Sequence, residues 1–126
     1  MTDLMVTARV GRYDVAVAGN AAGFSGTDSR GSVVRYALMR AIGYSDAEAR
    51  ARTYKKPGRG MAVTGDKVAA QIDAQLLAEI DEKRPAEIRD RATFIRYALA
   101  LASDYPPDEA LAIAHRDRGR PRKEAA

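Results

Sequence analysis

Residues 29–44 read SRGSVVRYALMRAIGY, and residues 90–105 read DRATFIRYALALASDY. A shift of 61 residues lays the first stretch on the second. Arg30 falls on Arg91, Arg35 on Arg96, Tyr36 on Tyr97, Ala37 on Ala98, Leu38 on Leu99, Ala41 on Ala102 and Tyr44 on Tyr105. Ser32 meets Thr93, Val33 meets Phe94 and Val34 meets Ile95, and the same register carries Gly58-Arg59 onto Gly119-Arg120. One register kept over that span reads as an internal duplication, with the chain built from two versions of one supersecondary unit. Each copy also reads as a helix. Ser29 and Asp90 are N-cap residues, Val33, Val34, Ala37, Leu38 and Ala41 form an apolar stripe, and Gly43 is a C-terminal stop.

Outward from these helices, each copy is preceded by an alternating segment and a shorter helix. In residues 5–10, MVTARV, the apolar Val6, Ala8 and Val10 alternate with Met5, Thr7 and Arg9, which predicts a strand with one buried face. Residues 14–22, DVAVAGNAA, read as a weak helix, since Gly19 costs about 1 kcal/mol against Ala inside one. In the second unit residues 67–72, KVAAQI, set Lys67, Ala69 and Gln71 against Val68, Ala70 and Ile72. Ala is a poor strand former, so pairing must support this segment. Asp73 then caps a helix in which Leu76, Leu77 and Ile80 share a face, with Lys83 and Arg84 at the favourable end of its dipole. Each unit closes with a short helix, capped by Ser45-Asp46 in the first and by Asp108 in the second, where Pro106-Pro107 ends the preceding helix. The predicted division is a first unit over residues 1–54, a basic linker over 55–63, a second unit over 64–114, and a basic tail over 115–126 expected to be disordered when free.

The 126 residues suffice for one compact domain or two half-sized units sharing a core. There is no Cys, hence no disulfide framework or thiolate chemistry. No apolar run is long enough to span a membrane, and the start MTDLMVTARV has no signal-peptide character, so a cytoplasmic protein is expected. The net charge is +4, unevenly spread. Residues 1–66 carry ten Lys/Arg and six Asp/Glu, residues 67–114 six and nine, and residues 115–126 five and two. Cations gathered in the first half and the tail favour a polyanionic partner.

The order strand, helix, turn, helix, seen most plainly in KVAAQIDAQLLAEI and DRATFIRYAL, resembles the ribbon-helix-helix family of DNA-binding proteins over residues 5–44 and 67–104. Two units in one chain are similar to the tandem arrangement of TraY-type conjugation accessory proteins. The resemblance implies a mainly α fold with a short two-stranded antiparallel β-ribbon, a tandem pseudo-dimer whose ribbon enters the major groove. The first unit departs from the pattern at Gly19 and in its few large apolar residues. With Val6, Ala8, Val10, Val68, Ala70 and Ile72 facing the core, Met5, Thr7, Arg9, Lys67, Ala69 and Gln71 face outward as the base-contacting set. Arg pairs with guanine O6/N7, Gln with adenine N6/N7, and Thr contacts a thymine methyl or a polar edge. The plain alternative is a solvated edge with arbitrary polar groups. The second helices begin at Arg30 and Ser32 and at Arg91 and Thr93, which places these four at a phosphate held by backbone N–H groups. Lys55, Lys56 and Arg59 in KKPGRG form a phosphate-contacting or simply flexible linker.

Arg118, Gly119, Arg120 and Pro121, followed by Arg122 and Lys123, resemble the AT-hook core RGRP with basic flanks. That short motif lies in the minor groove of AT-rich DNA. Catalysis finds little support: His115 is the only His, Asp81-Glu82 and Asp108-Glu109 sit on exposed helix ends, and neither GxxxxGK[ST] nor GxGxxG occurs. Tyr36 and Tyr97 read as packing aromatics. No cofactor, metal or small-molecule substrate is indicated. The expected partner is double-stranded DNA, with further copies of the chain on the same duplex as a second candidate, and the expected location is the nucleoid. The leading reading is a sequence-specific transcriptional regulator, such as a repressor. The alternatives are a plasmid-transfer accessory protein, an antitoxin, for which the tail is too basic and too poor in apolar residues, and a general architectural DNA protein, which would not need Arg9 and Gln71.

Overall fold

Among the described residues the order strand, helix, helix, helix occurs twice, and two stretches of alternating residues 58 positions apart or more pair with each other. The computed structural model describes residues 3–10, 14–24, 30–53 and 67–116. The first set is β1 (Asp3–Arg9), α1 (Asp14–Ala22), α2 (Arg30–Ala41) and α3 (Asp46–Arg52). The second is β2 (Lys67–Asp73), α4 (Ala74–Lys83), α5 (Arg91–Ala102) and α6 (Pro107–Arg116). Both ends of α2 and α5, and the starts of α3 and α6, keep the 61-residue offset read from the sequence. The fold is mainly helical with a two-stranded antiparallel sheet, as expected. The linker over residues 55–63 lies outside the described residues, and α6 continues two residues past the expected end of the second unit.

Local chemistry accounts for most boundaries. Asp73 caps α4 by accepting from the Leu76 amide at 2.8 Å, and Asp90 caps α5 by accepting from the Thr93 amide at 2.7 Å. Ser45 and Glu48 form a reciprocal capping box at α3. At α6 the expectation needs correcting. The helix starts at Pro107 rather than after an Asp108 cap, and the Pro106 carbonyl accepts from the Ala110 amide at 2.8 Å. Proline fits the first helical position because its φ is already helical and its missing N–H would have had no helical acceptor. Ser29 lies outside the described residues.

β1 pairs with β2 within the one chain, from Asp3 opposite Asp73 to Arg9 opposite Lys67. The predicted alternation holds: Val6, Ala8, Val10, Val68, Ala70 and Ile72 are all buried. A strand with one buried face resists slipping, because a one-residue shift would turn all its apolar groups outward. The buried face lies across the helices in a crossed manner, α2 on β2 and α5 on β1. α2 and α5 pack on each other and supply Val33, Val34, Ala37, Leu38, Phe94, Ile95, Ala98 and Leu99 to the core. Each of the Val, Leu, Ile and Phe side chains among these stabilises the fold by about 1.5–3 kcal/mol through burial, and the two alanines by less. α1 closes over both helices, α4 adds Leu76, Leu77 and Ile80, and α6 covers α5. Tyr36 is buried edge-on to Phe24, and Tyr97 stacks on Phe94, so both act as packing aromatics. Among the described residues, no helix is long and apolar enough to cross a membrane.

Candidate nucleic-acid interface

The ribbon's outer face follows from the pleat. Met5, Thr7, Arg9, Ala69 and Gln71 are exposed, Met5 by 57%. The register sets Met5 opposite Gln71, Thr7 opposite Ala69, and Arg9 opposite Lys67. Small side chains therefore occupy the middle, and longer ones stand at both ends. Lys67 is placed through its backbone pairing alone; its side chain lies outside the described part. Thr7 and Ala69 mark the centre of an approximate two-fold relation in which Arg9 corresponds to Gln71 and Met5 to Lys67.

The start of α2 lies under this face, and α5 reaches it through Arg96. Residue 31 is a glycine, and a Cβ there would stand 3.5 Å from the Ala69 carbonyl oxygen and 3.6 Å from the Ala70 Cα, so the first turn of α2 rides directly on the β2 backbone. Arg30 is half-buried at this turn. Ser32 and Thr93 are fully turned inward. The Ser32 hydroxyl accepts from Arg35 Nη2 at 3.1 Å, and the Thr93 hydroxyl accepts from Arg96 Nη2 at 3.0 Å. These two hydroxyls, expected beside a phosphate, are thus engaged beneath the ribbon instead. Arg91, expected in the same role, is committed in the free protein to Asp81 of α4. Its Nε and Nη2 donate to the two carboxylate oxygens at 3.1 and 2.7 Å, and Arg84 adds a third bond at 2.9 Å. Arg91 beside it holds the Asp81 carboxyl below the usual carboxylate range. Asp81 in turn raises the already high pKa of Arg91.

Lys55, Lys56, Arg59, Arg118, Gly119, Arg120, Pro121, Arg122 and Lys123 lie outside the described residues. Of the expected set, the structure places Met5, Thr7, Arg9, Ala69 and Gln71 on one exposed face and the first turn of α2, with Arg30, against β2, while Arg91 is bonded to Asp81.

Two further residues belong to the site. Arg35 Nη1 donates to the Gln71 carbonyl at 3.1 Å, and Arg96 Nη1 donates to the Arg9 carbonyl at 3.0 Å. Arg96 is buried, and its Nε also donates to the Ala114 carbonyl at 3.0 Å. The signal was present in the sequence: Arg35 superposes on Arg96, each three residues after the superposed Ser32 and Thr93. Among the described residues, no group of three His, Asp or Glu could hold a metal ion. Compared with protein-family models, with curated proteins and with solved structures, the chain matches none.

Proposed function

We propose that the chain is a sequence-specific double-stranded DNA-binding protein of tandem ribbon-helix-helix type, acting as a transcriptional regulator. The ribbon enters the major groove, and the basic tail follows the adjacent minor groove. The observation that carries this reading is the outer face of the ribbon. An exposed two-stranded platform presents Thr7, Arg9 and Gln71 in one register, while Val6, Ala8, Val10, Val68, Ala70 and Ile72 on the opposite face are buried. A two-stranded ribbon fits the major groove, and Arg and Gln there have bidentate partners on guanine and adenine. Reading side chains discriminate only when their backbone is held, and a buried inner face holds it. The concentration of cations in residues 1–66 and 115–126 supports a polyanionic partner independently of the ribbon.

The test begins with selection of duplexes from a randomised pool by the full chain. Arg9→Ala and Gln71→Ala are then titrated against the selected duplex and its single-base variants. Each substitution is expected to cost about 1–3 kcal/mol and to relax preference at one or two base pairs. Equal weakening on every sequence would assign these residues to phosphates and remove sequence reading from the ribbon.

A further inference from the structure

We infer that Arg35 and Arg96 are crossed positioning residues for base reading, each acting from one half of the chain on the reading side chain of the other. The inference rests on the DNA-reading proposal and adds to it a pair of specificity-determining residues that touch no base.

The geometry is the same twice. Arg35, on α2 of the first half, bonds the carbonyl of Gln71, on the strand of the second half. Arg96, on α5 of the second half, bonds the carbonyl of Arg9, on the strand of the first. Arg9 and Gln71 are themselves the corresponding residues about the ribbon's centre. In both cases a second guanidinium nitrogen is taken by a buried hydroxyl three residues earlier, Ser32 or Thr93. A guanidinium is a rigid planar fork, so fixing one prong on the hydroxyl aims the other at the strand. A bond to the carbonyl of residue 9 or 71 holds the peptide plane that follows that residue's own Cα, and hence the direction in which its side chain leaves the ribbon. The chain alternates between two peptide planes per residue with only φ and ψ free, so anchoring one plane restrains the other.

The two clamps are not equal. Arg9 is the last residue of β1, where a ladder frays most readily, and its clamp is the stronger. Arg96 is buried and joins three acceptors: Arg9 on the strand, Thr93 on its own helix and Ala114 on α6. Arg35 is half-buried at the edge of β2, with one residue of the ladder, Ile72, between Gln71 and the final pair. Loss of the Arg96 clamp should therefore loosen its reader more than loss of the Arg35 clamp loosens Gln71.

The experiment uses the full chain with Ser32→Ala and Thr93→Val, which remove the orienting hydroxyls and leave both arginines and all exposed reading groups in place. Arg35→Lys and Arg96→Lys, which keep charge and lose the fork, are the stronger second pair. Discrimination is measured on the selected duplex with the base pair read by Arg9 or the one read by Gln71 varied singly. Backbone order parameters at residues 9–10 and 71–72 are measured in the same proteins without DNA. Ser32→Ala and Arg35→Lys are expected to lower discrimination at the Gln71 base pair by about threefold to tenfold, the scale of one hydrogen bond, and to leave the Arg9 base pair within about twofold. Thr93→Val and Arg96→Lys should do the reverse. Combining either with removal of its own reader, Gln71→Ala or Arg9→Ala, should produce no further loss at that base pair. Order parameters should fall at residue 71 for the first pair and at residue 9 for the second. An effect on the same half, or uniform weakening with unchanged order at both readers, would overturn the crossed positioning. A wild-type chain with no sequence preference would overturn the DNA reading, while the order parameters would still decide whether the clamps cross.

Discussion

Gly43 and Asp104, 61 residues apart, occupy the same place after α2 and α5, and both have left-handed backbones, with φ of +109° and +74°. The hydrogen bonds repeat as well. The Gly43 amide donates to the Arg40 carbonyl and the Tyr44 amide to the Met39 carbonyl, at 3.1 and 3.0 Å. The Asp104 amide donates to Leu101 and the Tyr105 amide to Ala100, at 3.0 and 3.1 Å. This is the Schellman closure of a helix, which wants glycine at the left-handed position. Asp tolerates that region better than most residues but still carries a Cβ there. Asp104→Gly is therefore expected to stabilise the chain by about 0.5–1 kcal/mol, and Gly43→Ala to destabilise it by about 1 kcal/mol or more. Urea unfolding of the two variants checks both signs; a destabilising Asp104→Gly would mean that the aspartate side chain contributes more than its backbone strain costs.

That pair also shows how much was legible beforehand. The Gly43 stop and the caps at Ser45, Asp73 and Asp90 are local signals, carried by residues within four positions of what they control, and the duplication register is legible because residues 61 positions apart repeat in one order. The alternation in MVTARV and KVAAQI is legible because the inward-facing residues of both segments, Val6, Ala8, Val10, Val68, Ala70 and Ile72, are buried. What the sequence did not disclose depends on groups brought together by packing. Arg91 meets Asp81 ten residues away on another helix, and Arg96 meets the Arg9 carbonyl 87 residues away. No periodicity encodes such a meeting. The inward turn of Ser32 and Thr93 was missed for the same reason, because at the start of a helix a small hydroxyl has the same pattern whether it faces a ligand or an arginine beneath.

Asp81 ties α4 to α5 through its bonds to Arg91. Its carboxyl is held below the usual carboxylate range, first by the hydrogen bond from Arg91. A depressed folded-state pKa contributes stability that is present above the unfolded value and lost as pH falls through the folded one. Asp81→Asn should flatten that acid limb and cost only about 0.5–1 kcal/mol near neutrality, since the pair is partly exposed and screened. It should also release Arg91 at the start of α5. On the proposed DNA reading, affinity would then rise, and the slope of log K against log salt would steepen by about 0.9, one added phosphate neutralisation. Thermal melts across pH 3–7 and salt titrations on one duplex, with the range chosen to bracket the ordinary Asp value of about 3.9, measure the two effects separately. An unchanged salt slope would leave Arg91 as a structural residue only.

The opposite sign holds at Tyr36. Burial pushes its hydroxyl above the ordinary tyrosine value, and the hydrogen bond it donates to Asp46 adds to this. Asp46 is itself held low, first by Arg50, whose Nε donates to it at 2.9 Å. A neutral group whose pKa is raised on folding contributes stability that is complete below the unfolded pKa, about 10, and is lost as pH rises through the folded one. The chain should therefore lose stability in alkali more steeply than Tyr36→Phe does. In an ultraviolet titration, the wild type should show a tyrosine ionising above the ordinary value that is missing from Tyr36→Phe. Superimposable alkaline melts of the two proteins would remove Tyr36 as the cause.

Arg118 and Arg120 flank Gly119 in the sequence RGRP of the basic tail. If both arginines enter the minor groove, flank composition must matter, because the guanine amino group obstructs the floor of a GC-rich groove while an AT-rich groove is narrow and strongly negative. Lysine in place of both keeps the charge and loses the planar group that fits between the groove walls. The wild type and the Arg118→Lys/Arg120→Lys variant are therefore titrated against the selected site flanked by AT-rich or GC-rich duplex. The wild type should bind the AT-flanked duplex more tightly, and the variant should lose most of that difference. Affinity for the GC-flanked duplex should change little, because there only charge contributes. The salt slopes of the two proteins should match, since phosphate neutralisation counts cations and not their shape. Equal flank preference in the two proteins would reduce the tail to a counterion and leave all sequence reading to the ribbon.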